Sequence, residues 1–280
     1  MEPILNYEGK ILYNELLKKE EISKSEIINC NGWKEVAKKI ENDCHFGKWT
    51  KDEIFVYPGD NPTVKEFSDA ETTKEDCKLQ LDLPPCPFTP NILNAKLIIL
   101  SLNPGYIKLL NRDLPGMLLP EYVGEYKTWT VNALRMEAKE KGGIYTNDVD
   151  KIIGENYWAK RLQPLAKKVK SPENIYNNVA LLQYLGYTST SYKDMPQIIP
   201  SQMFTKVLIR YITLNNTDAK FLILRARKKW EELIDGDTLS KLNKNCRLLY
   251  KQSSSPCQFL SENNLGKDVY DKIRKTLNLE

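Results

Sequence analysis

Histidine is almost absent from this 280-residue chain, with His45 the single example. Hydrolysis through a histidine-centred triad and most imidazole-ligated metal sites are therefore poor expectations, because those chemistries need a near-neutral base or several imidazole ligands. Long apolar runs are also missing. No stretch approaches the ~18 residues of a membrane-crossing helix. The mixed, acidic start Met1 to Glu8 has neither the basic nor the apolar region of a signal peptide, so a cytoplasmic location and no membrane contact are expected. The six cysteines, at 30, 44, 77, 86, 246 and 257, show no short paired spacing, which favours buried or free thiols over a disulfide framework. Cys44-His45 with Cys77 and Cys86 lacks a Cys-x-x-Cys clamp, so no metal is expected. Glycine patterns are sparse too: Gly142-Gly143 stands alone, and no phosphate-binding or dinucleotide motif is present. Nothing in the glycines, cysteines or histidine calls for a cofactor.

What remains is an ordinary globular composition, 41% hydrophobic and 28% charged, long enough for one large or two small domains. The formal charge of +4 hides an asymmetry. Residues 1–150 carry 19 Lys and Arg against 25 Asp and Glu, net −6, and residues 151–280 carry 22 against 12, net +10. Two basic clusters are dense: Lys160, Arg161, Lys167, Lys168 and Lys170, then Arg225, Arg227, Lys228 and Lys229. A polyanion such as DNA suits that surface, since Lys and Arg gain Coulomb attraction and counterion release at phosphates. Two solvated helix faces would give the same pattern.

Residues 1–83 read as a helical extension, with Ile11, Leu12, Leu16 and Leu17, then Ile27, Ile28, Trp33, Val36 and Ile40, at helical spacing. Turn-rich sequence from Phe55 to Pro90 precedes an α/β domain over 84–280. Four short apolar runs follow, at 95–100, 178–184, 219–224 and 246–250, with helical stretches between them at 156–169 and 201–214. That alternation predicts a three-layer α/β sandwich with a mainly parallel central sheet. Ligands collect at the carboxyl ends of strands in such sheets. Those ends hold Asn103-Pro104-Gly105-Tyr106, Gln183-Tyr184, Arg225-Ala226-Arg227 and Gln252-Ser253-Ser254-Ser255-Pro256-Cys257. An amide backed by a Pro-Gly turn can hold a water or a carbonyl in one orientation; an Asx turn closing the strand would use the same residues.

The run Leu97-Ile98-Ile99-Leu100-Ser101-Leu102-Asn103-Pro104-Gly105-Tyr106 resembles the first motif of the uracil-DNA glycosylase superfamily, in which a buried strand ends in Gly-x-Asn-Pro-Gly or Gly-Gln-Asp-Pro-Tyr. Ser253-Ser254-Ser255-Pro256-Cys257, some 150 residues later, stands where that superfamily carries His-Pro-Ser-Pro or Asn-Pro-Ser-Gly. The segment 178–189 resembles its middle strand, whose amide reads the extruded base. The resemblance covers roughly residues 84–275 and implies a DNA glycosylase that flips a base and hydrolyses its N-glycosidic bond. In it Asn103 and Ser253 are the catalytic candidates. Ser101, Leu102, Tyr106, Gln183 and Tyr184 would meet the base. Lys160, Arg161, Lys167, Lys168, Arg225, Arg227, Ser255, Pro256, Cys257 and Gln258 would hold the DNA, with Phe259 in the wedge segment. Tyr122, Tyr126 and Trp129 are further stacking candidates, although core packing is the commoner fate of such rings.

Two departures bear on the substrate. Ser101 replaces the usual first glycine, and Ser253 replaces the usual His or Asn, so uracil or a bulkier modified pyrimidine in phage DNA are both open, in repair or in defence. An inactive DNA-binding protein on the same fold is the rival expectation, and a hydrolase of free nucleosides a third. The sequence gives no oligomeric state.

Overall fold

The structure is a computed structural model that describes residues 12–43, 46, 54–105, 120–137, 157–167, 169, 173–253 and 258–279. Four strands, β1 (Leu97–Ser101), β2 (Val179–Gln183), β3 (Lys220–Ile223) and β4 (Leu248–Tyr250), form one sheet in the order β2-β1-β3-β4. Every pairing is parallel, with Ser101 beside Gln183 and Leu100 beside Ile223. The expected α/β sandwich is therefore present, and its four strands are the four apolar runs.

The runs are continuous because both faces of the sheet are covered, so neither alternate residue meets water. On one face Leu97, Ile99, Val179, Leu181, Leu222 and Leu249 share a core with Trp158, Leu162 and Leu165 of α5 (Tyr157–Ala166) and with Val269 and Ile273 of α11 (Lys267–Thr276). On the other face Ile98, Leu100, Ala180, Leu182, Phe221 and Ile223 pack against α7 (Pro200–Asn215). The same cluster takes in Leu16, Trp33, Val36, Ile40, Phe55 and Tyr57, so residues 12–83 complete the core on that side of the sheet.

Local chemistry explains the ends of several helices. Ser23 opens α1 (Lys24–Asn29) with a capping box, its side chain accepting from the Glu26 amide while Glu26 accepts from the Ser23 amide. α2 (Trp33–Asn42) lies against α4 (Pro120–Arg135), and the pair is tied by the Asn31 side chain donating to the Leu134 carbonyl at 2.7 Å and by the Arg135–Glu41 ion pair. Gly32 precedes α2 because a Cβ there would fall 2.6 Å from the Tyr57 ring. The C-terminal end of α7 is closed by the buried Arg247, whose guanidinium donates to the carbonyls of Thr213, Asn216 and Ala219.

Residues 87–89 run along the outer edge of β2. The Gln183 amide donates to the Pro87 carbonyl, the Thr89 amide donates to the Leu181 carbonyl, and Phe88 bridges Leu182 in antiparallel fashion. No helix among the described residues is long and apolar enough to cross a membrane.

Candidate functional site

In the order β2-β1-β3-β4, the chain leaves β1 toward β2 on one side and leaves β3 toward β4 on the other. The carboxyl ends of β1 and β3 therefore flank a topological switch point, the crevice where ligands of open α/β sheets bind. Ser101, Leu102 and Asn103 come off β1 at this place, Gln183 and Tyr184 come off β2, and Leu224 and Arg225 come off β3. The β1–β2 ladder continues past both strands, since the Tyr184 amide donates to the Ser101 carbonyl and the Leu185 amide to the Leu102 carbonyl, each at 2.8 Å. The loop carrying Asn103 is thus held by backbone to the loop after β2.

The half-buried Asn103 side chain is fixed in one sense. Its Nδ2 donates to Ser189 Oγ at 2.8 Å and lies 3.1 Å from the Pro104 carbonyl and 3.4 Å from the Ser189 carbonyl. Two carbonyls on one side require the NH2 group there, so the amide cannot flip without placing oxygen against oxygen. Ser189 Oγ passes the chain on by donating to the Ser191 carbonyl at 2.8 Å, and the Ser191 amide donates to the Asp76 carbonyl at 2.7 Å. A bond from Ser191 also holds the Asp76 carboxyl below the usual carboxylate range. Among the described residues no hydrogen bond engages Asn103 Oδ1, which leaves an oriented acceptor at the switch point. Part of the amide does close the turn, as an Asx turn would, while the other half stays open.

Gln183 sits beside Ser101 in the ladder, and both are buried, at 4% and 8% exposure. Its Oε1 is enclosed and has no hydrogen-bond partner among the described residues. A buried carbonyl oxygen without a donor costs about 1–3 kcal/mol, so this amide is poised for a ligand that donates to it. Tyr184, the next residue, points to the opposite face of the sheet and packs edge-on against Trp230 at 5.4 Å and Tyr192 at 6.4 Å. The structure therefore brings Ser101, Asn103 and Gln183 to one end of two paired strands and separates Tyr184 from Gln183.

Ser253 follows β4, at the far edge of the sheet, where its amide donates to the Asn264 carbonyl at 3.2 Å. Gln258 is buried, and Phe259 is exposed with the Arg161 guanidinium over its ring at 5.7 Å. The Leu260 amide donates to the Arg161 carbonyl, so the segment 258–260 is seated on α5. Lys160 and Lys167 are exposed on the same element and just beyond it. Tyr106, Lys168, Ser255, Pro256 and Cys257 lie outside the described residues. Tyr126 is buried against Phe46 at 5.8 Å, and Trp129 packs on the core, so both serve packing there.

The second basic cluster is largely neutralised within the protein. Arg227 pairs with Glu231 at 2.9 Å and stacks on the Tyr250 ring at 3.9 Å, Lys228 lies 3.8 Å from Glu232, and Lys229 pairs with Asp194. Burial alone would raise the Glu231 carboxyl, but bonds from Arg227 and Tyr250 outweigh it and hold the group ionised. Spacing alone did not single out Ser189 and Ser191, which hold Asn103 in place; the signal available was the run of hydroxyls Thr188-Ser189-Thr190-Ser191 soon after the β2 run. Comparison of the chain with protein-family models, with curated proteins and with solved structures gave no match.

Proposed function

We propose that the protein is a DNA glycosylase that extrudes a damaged or modified pyrimidine and hydrolyses its N-glycosidic bond, leaving an abasic site. The observation that carries this reading is the one-sided fixing of Asn103, which presents Oδ1 at the switch point while Nδ2 is held by Ser189 and two carbonyls. An oriented amide oxygen accepts a hydrogen bond from water and aims the water's lone pair at the sugar anomeric carbon. A neutral amide is a weak base, so the water attacks as the bond to the base is already breaking with oxocarbenium character. The base leaves with the bonding electrons, water supplies the oxygen of the new sugar hydroxyl, and its proton is lost to solvent or to the departing base. Rate enhancement then rests on position more than on acid–base strength. Gln183 is suited to the base edge, because among the described residues its enclosed Oε1 lacks the donor that an exocyclic amine or ring N–H would supply.

DNA grip in this reading falls first to the exposed Lys160 and Lys167, because Arg227, Lys228 and Lys229 are tied to carboxylates. Uracil and modified cytosines are both admitted by the site, in repair or in antiviral defence within the cytoplasm. The test is alkali cleavage of DNAs carrying uracil, a thymine mismatch, hydroxymethylcytosine or glucosylated hydroxymethylcytosine, with wild type and Asn103→Ala compared. Strand breaks at one base that disappear in the variant are expected. Intact DNA throughout, with salt-sensitive binding unchanged by Asn103→Ala, would overturn the reading in favour of an inactive DNA-binding protein.

A further inference from the structure

The opposite, amino-terminal edge of the sheet carries a second concave surface, a cleft of about 740 Å³. Among the described residues six cationic side chains line it, Lys96, Lys220, Lys241, Arg247, Lys272 and Lys275, against Asp218 as the one acid. Asp237 lies 4.0 Å from Lys241, and Asp268 pairs with Lys272 at 2.8 Å. No carboxylate among the described residues lies within ion-pair distance of Lys96, Lys220 or Lys275.

Cations in the last turn of a helix often do no more than complement the negative end of its dipole. That accounts for Lys241 and Lys275, which close α9 (Gly236–Lys244) and α11. It does not account for Lys96 and Lys220, which enter from the starts of β1 and β3. Nor does it leave negative potential at the end of α7, because the 4%-exposed Arg247 already occupies the carbonyls of Thr213 and Asn216 and adds a full positive charge to the cleft wall. Like charges around a low-dielectric concavity focus the field, and holding them together without a counter-charge costs stability. Among the described residues the lining has no aromatic ring on which a base could stack. A ligand here would be recognised through its negative groups.

From this arrangement we propose that the amino-edge cleft, framed by Lys96, Lys220 and Lys275 above Arg247, binds a compact oligophosphate, a ligand with two or more adjacent phosphate groups. Its volume falls within the ~300–1,000 Å³ of small-molecule sites, and its cations are spread over several elements as a multiply charged ligand requires. The site lies at the other end of the strands from Asn103, so its occupancy is independent of the glycosylase reading.

The experiment is calorimetric titration of the full chain with inorganic tripolyphosphate at low salt. One site is expected, weakening steeply with added salt and falling about tenfold or more in Lys96→Gln/Lys275→Gln, since close charges on phosphate act as strong charge-assisted bonds. Neither lysine makes an ion pair among the described residues, so relief of their mutual repulsion should leave the melting temperature of that variant at or above the wild-type value. Arg225→Gln/Arg227→Gln, changed at the other edge of the sheet, should bind tripolyphosphate as wild type does. No binding, or equal loss in both double variants, would overturn the proposal. A mixed-sequence DNA duplex that loses affinity in Lys96→Gln/Lys275→Gln would also overturn it, reassigning the cleft to the DNA backbone. Base excision by that variant should be unchanged, so each reading can fail without the other.

Discussion

At the scale of single residues, two side chains carry information that composition does not. Ser189 is buried, and its hydroxyl both accepts from Asn103 and donates to the Ser191 carbonyl. In the glycosylase reading Ser189→Ala should therefore lower kcat about tenfold to a hundredfold while leaving KM nearly unchanged, because the loss is one of orientation at the reacting atom. Single-turnover excision would show it, and a fall in KM-dependent binding alone would contradict it. Asp60 is the second case. It is fully buried, accepts from the Tyr187 hydroxyl at 2.6 Å and from the Ser201 amide at 2.9 Å, and burial raises its carboxyl to about 7 against those bonds. The native state then holds this proton more tightly than the unfolded chain, where an aspartate titrates near ~3.9. Stability should be greatest on the acid side of that interval and decline as pH rises from about 4 to about 7. Urea midpoints measured across this range should flatten in Asp60→Asn; an unchanged slope would show that another group is responsible.

At the scale of elements, Arg247 links three of them. Its guanidinium satisfies carbonyls at the end of α7 and in the loop before β3, from a position just ahead of β4. Arg247→Met should cost about 2–4 kcal/mol in urea unfolding, since enclosed carbonyls would lose their donors. A loss within experimental error would mean that water replaces the guanidinium. This is also the scale at which the sequence was most legible. The four strands were visible as apolar runs because a sheet covered on both faces leaves no polar alternation to confuse them; α5 fell within the helical stretch expected for it, and α7 ran one residue past its expected stretch at each end. The residues at the strand ends were legible for the same reason, as polar residues that interrupt the runs. The sense of the Asn103 amide was not, because it is set by Ser189, 86 residues away. Nor was the neutralisation of Lys229, which depends on Asp194, 35 residues away. The pairing of Arg227 with Glu231 lay within reach as an i,i+4 spacing.

At the scale of the whole molecule, the N-terminal residues are joined to the sheet by their packing. Trp33 meets Tyr187 at 5.7 Å, the Tyr57 amide donates to the Tyr187 hydroxyl at 3.0 Å, and the Gln80 amide donates to the Thr188 carbonyl at 2.8 Å. Removing residues 1–83 would uncover Phe88, Phe204 and Tyr187 together. A chain beginning at Pro84 is therefore expected to lack cooperative unfolding and to bind a hydrophobic dye, as judged by thermal melts and fluorescence; a sharp transition would instead show that the α/β part folds alone. The relay from Asn103 through Ser189 and Ser191 to the Asp76 backbone crosses the same boundary, so the segment supports the site as well as the core.

The strip 87–89 along β2 has a further meaning for the behaviour of the chain in a crowded solution. An open sheet normally has two flanks whose unused amides and carbonyls can recruit a strand from another copy. Here one flank is already taken by the protein's own backbone, and the other belongs to β4, only three residues long. The sheet thus offers little template for growth by strand addition, a protection against self-assembly that comes from how the chain is routed and needs no charged gatekeeper.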